Sequence, residues 1–246
     1  MSNTHYHIYG HALELANAFG FLYPAELFLI QAITQSLPED AVLVCIGVGT
    51  GTGSLGMREI HPEARMFSVD ISTGGPFGGM ENEYHAFSRA QMKLPHQILG
   101  NSQVIHTEWP EISGDLPIDL LFIDGDHAET ALQGDIDGWV KYVKPGGYVL
   151  YHDYGSVNWG DVTKVVDANM DKRSWRKVLA VDTLIAFQKL EDGSIQRMAV
   201  DMAVSGKVEN ETLIKLIGDG LQVDTDAILK LLEHKDIPVK SGRRKK

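Results

Sequence analysis

Apolar residues fall into two kinds of run along this chain. Short unbroken runs occur in "AVLVCIG", "ARMFSVDIS", "PIDLLFIDG" and "GGYVLYHDY", bounded by Gly, Pro or Asp. Runs of this length without alternation suit strands of a parallel sheet covered on both faces. "HQILGN" is a weaker third strand, and "WRKVLAV" with "TLIAFQKL" reads as an antiparallel pair. Elsewhere the spacing is helical. Residues 11 to 36 read as helical, with Leu27, Ile30, Ile33 and Leu37 in step after Pro24. The fourth and fifth strands are joined by a helix whose apolar face is Leu132, Ile136, Trp139, Val140 and Val143. Asp126 is its expected N-cap, Glu129 stands at capping-box spacing, and "KPGG" is its expected stop. Strand, helix and strand of this length make a right-handed parallel crossover, so the pattern predicts a doubly wound α/β sheet. Such sheets bind ligands at the carboxyl ends of their strands.

Composition narrows the setting. The 246 residues suit one α/β domain with an appendage. We expect residues 1–190 to form that domain, with 1–38 a helical N-terminal segment. Residues 191–246 are expected to be a helical extension with a basic tail, "SGRRKK", that packs on the domain or pairs two copies as a homodimer. The net charge of −11 argues against a nucleic-acid surface, which needs clustered Lys and Arg. One cysteine, Cys45, leaves no intramolecular disulfide and no Cys-based zinc site. The polar start lacks a signal-peptide layout, and no apolar stretch is long enough to span a bilayer. A cytoplasmic protein without membrane contact is the expectation.

Two places carry candidate chemistry. "CIGVGTGTGSLGM" follows the first strand, and its glycines let a ligand approach bare backbone amides near the head of the next helix. Asp70 ends the second strand, near the usual offset for a carboxylate that binds ribose hydroxyls. Gly51, Gly53 and Gly56 formally match G-x-G-x-x-G, but the strand ends near Ile46, so the turn spans Gly47, Gly49 and Gly51. The second place is "FIDGDH", where a buried strand runs into Asp124, Asp126 and His127. Asp153 ends the fifth strand. Carboxylates on neighbouring strands, about 4.8 Å apart, would repel unless a cation such as Mg²⁺ lay between them. His127 is the preferred general base, one turn from Asp124, and His152 the second choice. His5, His7 and His11 read as a lid or surface segment. Residues 72–91 read as a glycine-rich loop over the site followed by a helix.

"VLVCIGVGTGTGS", "FSVDIS", "LGNSQ", "DLLFIDGDHAETALQGDIDGWVKYVKPGG" and "VLYHDY", in this order, resemble the class I S-adenosylmethionine-dependent methyltransferases. Over residues 30–190 the chain is most similar to the small-molecule O-methyltransferases of the macrocin and catechol types. The resemblance implies a Rossmann-like, mostly parallel seven-stranded sheet with an antiparallel last strand. It implies S-adenosyl-L-methionine bound by Gly47, Gly49, Thr50, Gly51, Ser54, Asp70, Ser102, Gln103 and Asp124, with Mg²⁺ on Asp124 and Asp153. The partner would be a small-molecule acceptor. Two departures stand out: Cys45 replaces an acidic residue, and Asp153-Tyr154 replaces an Asp-Asn pair. Three alternatives stay open. They are a metal-independent O- or N-methyltransferase using His127, a nicotinamide oxidoreductase, and a non-catalytic cofactor-binding protein.

Overall fold

The N-terminal helical stretch is two helices, α1 (His11–Phe19) and α2 (Pro24–Gln35). The break has a local cause. Tyr23 precedes a proline and takes an extended backbone, and Pro24 opens α2 where its missing N–H costs nothing. Residues 10–19, 21–170 and 174–190 are described by this computed structural model. The chain divides into two units, Met1–Asp171 with Lys177–Lys189, and Lys172–Arg176 with Leu190–Lys246. The expected C-terminal helices, the basic tail, a dimer through them, and His5 and His7 lie outside the described residues.

The strands form where the apolar runs predict them: β1 (Val42–Ile46), β2 (Arg65–Asp70), β3 (His96–Leu99) and β4 (Ile118–Ile123). Every residue of β1 and of β4 is buried, as a sheet covered on both faces requires. After β1 comes α3 (Thr52–Ile60), and after β2 comes α4 (Met80–Ala90). A Cβ at Gly53 would run into the Phe122 ring, and one at Gly56 into a Leu27 methyl. The last two glycines of the formal G-x-G-x-x-G therefore serve close packing of α3.

Two short helices, α5 (Ser102–Ile105) and α6 (Trp109–Ser113), lead into β4. Beyond β4, α7 runs over Glu129–Trp139 and ends in a tighter turn at Val140–Tyr142. The helix starts later than expected. Asp126 Oδ1 accepts from the Ala128 N–H in a local turn, which leaves Ala128, not Asp126, at the N-cap. "KPGG" does not stop α7 either. It lies inside β5 (Val143–Tyr151), where Ile118 pairs with Val143 and Leu120 with Tyr148, a bulge against β4. The remaining elements are α8 (Gly160–Asn169), β6 (Trp175–Val181) and β7 (Leu184–Lys189).

The described residues form a seven-stranded sheet in the order β3-β2-β1-β4-β5-β7-β6. Pairings from β3 through β5 are parallel, and β7 is antiparallel to β5. The expected Rossmann-like, doubly wound architecture with an antiparallel last strand is the one observed. From the β1–β4 pair the strands run outward to β2 and β3 on one side and to β5 on the other, so the crevice forms over the carboxyl ends of β1 and β4. No helix among the described residues is long and apolar enough to cross a membrane.

Candidate active site

A cavity of about 830 Å³ opens at that crevice. Its first wall is backbone. Gly47 turns the chain out of β1 at φ +74°, and a Cβ there would strike the Asp124 carbonyl, so only glycine fits. The turn is stitched to both neighbouring strands: the Gly47 N–H donates to Val69 O at 2.9 Å, and the Asp124 N–H to Ile46 O at 2.8 Å. Asp70 stands beside it, Oδ2 accepting from the Val48 N–H at 2.8 Å and Oδ1 from the Ser72 N–H at 2.7 Å. Each carboxylate oxygen keeps a further lone pair for a ligand hydroxyl.

Gly47, Gly49, Asp70, Ser102, Gln103 and Asp124 line the cavity. Thr50, Gly51 and Ser54 sit behind the turn instead. Thr50 Oγ1 pairs with Thr52 Oγ1 at 2.8 Å, Ser54 Oγ donates to Gly51 O at 3.2 Å, and both side chains are buried. Cys45 is buried too, its thiol pushed up by burial and by the nearby carboxylates of Glu83, Asp124 and Asp70. Next to Ser102 the wall includes a residue that the sequence pattern does not flag. Asp135 Oδ1 accepts from Ser102 Oγ at 2.5 Å, and burial pushes its carboxyl up to about 6.

The second wall is made of side chains. Register places His152, not Asp153, across from Asp124, because Ile123 pairs with Tyr151. Asp153 follows in the left-handed region, φ +58°, an uncommon conformation for a residue with a Cβ. There its carboxylate lies on the same imidazole. His152 Nδ1 is 3.0 Å from Asp124 Oδ1 and 3.2 Å from Asp153 Oδ2. His152 Nε2 is 3.3 Å from Glu26 Oε2.

Glu26 has no exposed surface. Its Oε2 accepts from the Tyr23 N–H at 2.8 Å, and its Oε1 from both the N–H and the hydroxyl of Thr183, at 2.7 and 2.8 Å. In sequence Glu26 only interrupts an apolar run. The available signal is a carboxylate at the third position of a helix opened by Pro24. His127 lies in the loop before α7 rather than on the helix. Its ring stacks on Trp159 at 4.5 Å between centroids and 19° between planes, and Nε2 lies 2.8 Å from Asp153 Oδ2, without hydrogen-bond alignment.

The electrostatics follow from this crowding. Burial works to lower the His152 pKa, but Asp124, Asp153 and Glu26 outweigh it and raise it strongly. Burial likewise opposes ionisation of Asp153 and Glu26. The two histidines hold Asp153 far below its ordinary value, and His152 with the Tyr23 and Thr183 donors holds Glu26 down. Contact with Asp153 raises His127 against the opposing effect of its burial. Asp124, His152 and Asp153 each offer a ligand atom, all within 4.8 Å of one another. Two carboxylates and an imidazole fit a divalent cation, and Glu26 on the far imidazole nitrogen is the outer partner that metal-bound histidines usually have. Protonated on both nitrogens, His152 can also offset part of the repulsion between the two carboxylates with its single positive charge.

Comparison with known proteins fits this geometry. A family model described as a methyltransferase domain matches residues 23–154. An uncharacterized protein of Acanthamoeba polyphaga mimivirus is 29% identical over 106 residues, 41% of this chain and 45% of that protein. The match thus spans less than half the length of that relative. A solved Staphylococcus aureus protein assigned as a caffeoyl-CoA O-methyltransferase superposes with TM-score 0.57 at 15% identity, over 72% of this chain and 90% of its own. MycE, from the mycinamycin biosynthetic pathway and solved with Mg, S-adenosylhomocysteine and mycinamycin VI, gives 0.53 at 16% identity, over 75% and 56%. CalS11, a TDP-rhamnose 3′-O-methyltransferase of calicheamicin biosynthesis, gives 0.53 at 15% identity, over 71% and 85%. At these identities the structural likeness shows the shared fold.

Proposed function

The chain belongs to the methyltransferase-domain family; from that premise we propose that it is an S-adenosylmethionine-dependent enzyme that methylates a hydroxyl oxygen of a small molecule with help from a divalent cation, Mg²⁺ or similar. One observation carries this reading. A single cavity has the Gly47–Gly49 turn with Asp70 on one side and the Asp124–His152–Asp153–His127 cluster on the other. In this reading Gly47 and Gly49 face the methionine end of the cofactor, Asp70 accepts from the ribose hydroxyls, and Ser102 and Gln103 border the adenine.

Asp124, His152 and Asp153 would hold the cation, and Glu26 would fix the imidazole with Nδ1 toward it. Bound there, the ion would act as a Lewis acid on the acceptor hydroxyl. His127 is the base. Its Nε2 is buried against Asp153, which leaves Nδ1 to take the acceptor's proton, and the Asp153 carboxylate stabilises the imidazolium that results. The acceptor oxygen then forms the C–O bond as the C–S bond breaks, and the sulfonium becomes a thioether. The cavity walls set the in-line approach that this displacement needs. A cytoplasmic setting belongs to the same reading, supported by the single, buried cysteine.

A second reading dispenses with the metal. His152 already lies within 3.2 Å of both carboxylates and can serve as their counter-cation. Methyl transfer to hydroxylated small molecules, assayed with Mg²⁺ and with EDTA, separates the two. We expect activity to vanish in EDTA and in Asp124→Ala and Asp153→Ala. Full activity of the wild type and both variants in EDTA would overturn the metal, and methylation confined to nitrogen would overturn the oxygen acceptor.

A further inference from the structure

The wall beyond Asp70 holds a buried acid to which the reaction gives no task. The Gly100 N–H donates to Asp70 O at 2.8 Å, so the turn that opens α5 lies beside the aspartate read as the ribose partner. Helix α7 backs that turn closely. A Cβ at Gly134 would press on the Gln103 side chain and one at Gly138 would strike the His106 ring, so these two glycines let α5 settle onto the helix. Polar contacts then fix it there. Trp139 Nε1 donates to Ser102 O at 3.0 Å, and the Tyr142 hydroxyl to His106 O at 2.9 Å.

Asp135 sits at the centre of this contact. It is 2% exposed, yet it lines the cavity. Its Oδ1 takes the Ser102 hydroxyl proton at 2.5 Å. Its Oδ2 lies toward Gly125, another lining residue, where a Cβ would stand 3.5 Å from it. Glycine at that position leaves the oxygen uncovered on the cavity side. A carboxyl that titrates at about 6 is mostly ionised at about pH 7.5, so Oδ2 accepts hydrogen bonds and donates none. A buried acceptor facing a ligand without a donor is costly, whereas a ligand N–H satisfies it. A nucleoside with its ribose on Asp70 and its sulfonium arm on Gly47 and Gly49 presents its base to this wall. An exocyclic amine there would donate to Oδ2. A carbonyl there would set one acceptor against another.

We propose that Asp135 reads the base of the cofactor: its Oδ2 accepts from the exocyclic amine of adenine, which makes Asp135 the residue that selects a 6-aminopurine over a 6-oxopurine. This deepens the methyltransferase reading and rests on it. The test titrates the full chain calorimetrically with S-adenosylhomocysteine and with S-inosylhomocysteine, which differ only at the C6 edge of the base. The wild type should bind the adenosyl ligand about 10- to 100-fold more tightly. In Asp135→Asn the Ser102 hydroxyl keeps the amide oxygen, so the amide NH₂ faces the base and donates where Oδ2 accepted. The adenosyl ligand should then weaken and the inosyl ligand gain, and the ratio should fall at least about tenfold. A purely structural role would weaken both ligands alike and leave the ratio unchanged. An unchanged ratio overturns the proposal, as does a wild-type preference smaller than about threefold. Failure of the wild type to bind S-adenosylhomocysteine removes the underlying reading, and the proposal with it.

Discussion

At the β1 end of the cavity the wall is backbone held by nearby sequence: a glycine turn, and an aspartate that takes N–H groups from Val48 and Ser72. At the β4–β5 end it is side chains drawn from α2, the two strand ends and the loop before α7. The first end can be built with few tertiary decisions. The second depends on strand register, on a left-handed residue at Asp153, and on Glu26, which meets His152 from 126 positions away. Chemistry that needs generic binding is therefore placed on a robust local motif. Chemistry that needs exact proton and charge placement is placed on the part that the whole fold must assemble.

Substitutions should separate the two ends. The largest effect belongs to His127→Gln, which removes the proposed base. We expect kcat to fall about 10²- to 10⁴-fold while affinity for S-adenosylhomocysteine holds, and a parallel loss of affinity would mean the two ends are one unit. Glu26→Gln is next. It removes the negative charge beside His152 Nε2 while its one amide oxygen can still accept from Thr183, though no longer from the Tyr23 N–H as well, so affinity for Mn²⁺ or Mg²⁺ should fall about 10- to 100-fold. Calorimetry or Mn²⁺ paramagnetic resonance reads it, and unchanged affinity would leave Glu26 a purely structural cap.

The smallest effect lies beside Ser102, at Asp135. Asp135 has a folded-state pKa of about 6 against an ordinary 3.8, so the folded chain holds a proton there that the unfolded chain has lost. Its contribution is full below the unfolded pKa and is lost as pH rises through about 6. Asp135→Asn keeps the acceptor for Ser102 and should stabilise the fold by about 1–3 kcal/mol at about pH 7.5, with the gain shrinking toward about pH 4.5. Melting curves at several pH values check it, and a gain independent of pH would contradict burial of the charge as the cause.

The difference between the ends also explains what the sequence discloses. β1 and β4 are legible because every residue in them is buried and nearly all are apolar, and β2 because its apolar Met66, Phe67 and Val69 run up to Asp70. Gly47 and Asp70 follow from where those runs stop. The partnership of Asp124 with His152 is not legible, because register is set by the bulge in β5 around Pro145 and Gly146, which no run length predicts. Glu26 hides because a buried carboxylate looks like a break in an apolar face until its partner is known. The start of α7 was displaced by a competing local bond, Asp126 to the Ala128 N–H.

The claim on which the rest depends is that the β1 end binds a sulfonium nucleoside independently of the cluster opposite. Calorimetric titration of the full chain with S-adenosylhomocysteine and with NAD, each with and without Mg²⁺, tests it directly. One-to-one binding of S-adenosylhomocysteine at similar affinity in both conditions, with no heat from NAD, is the predicted result. Binding of NAD, or no binding of S-adenosylhomocysteine in either condition, would contradict it.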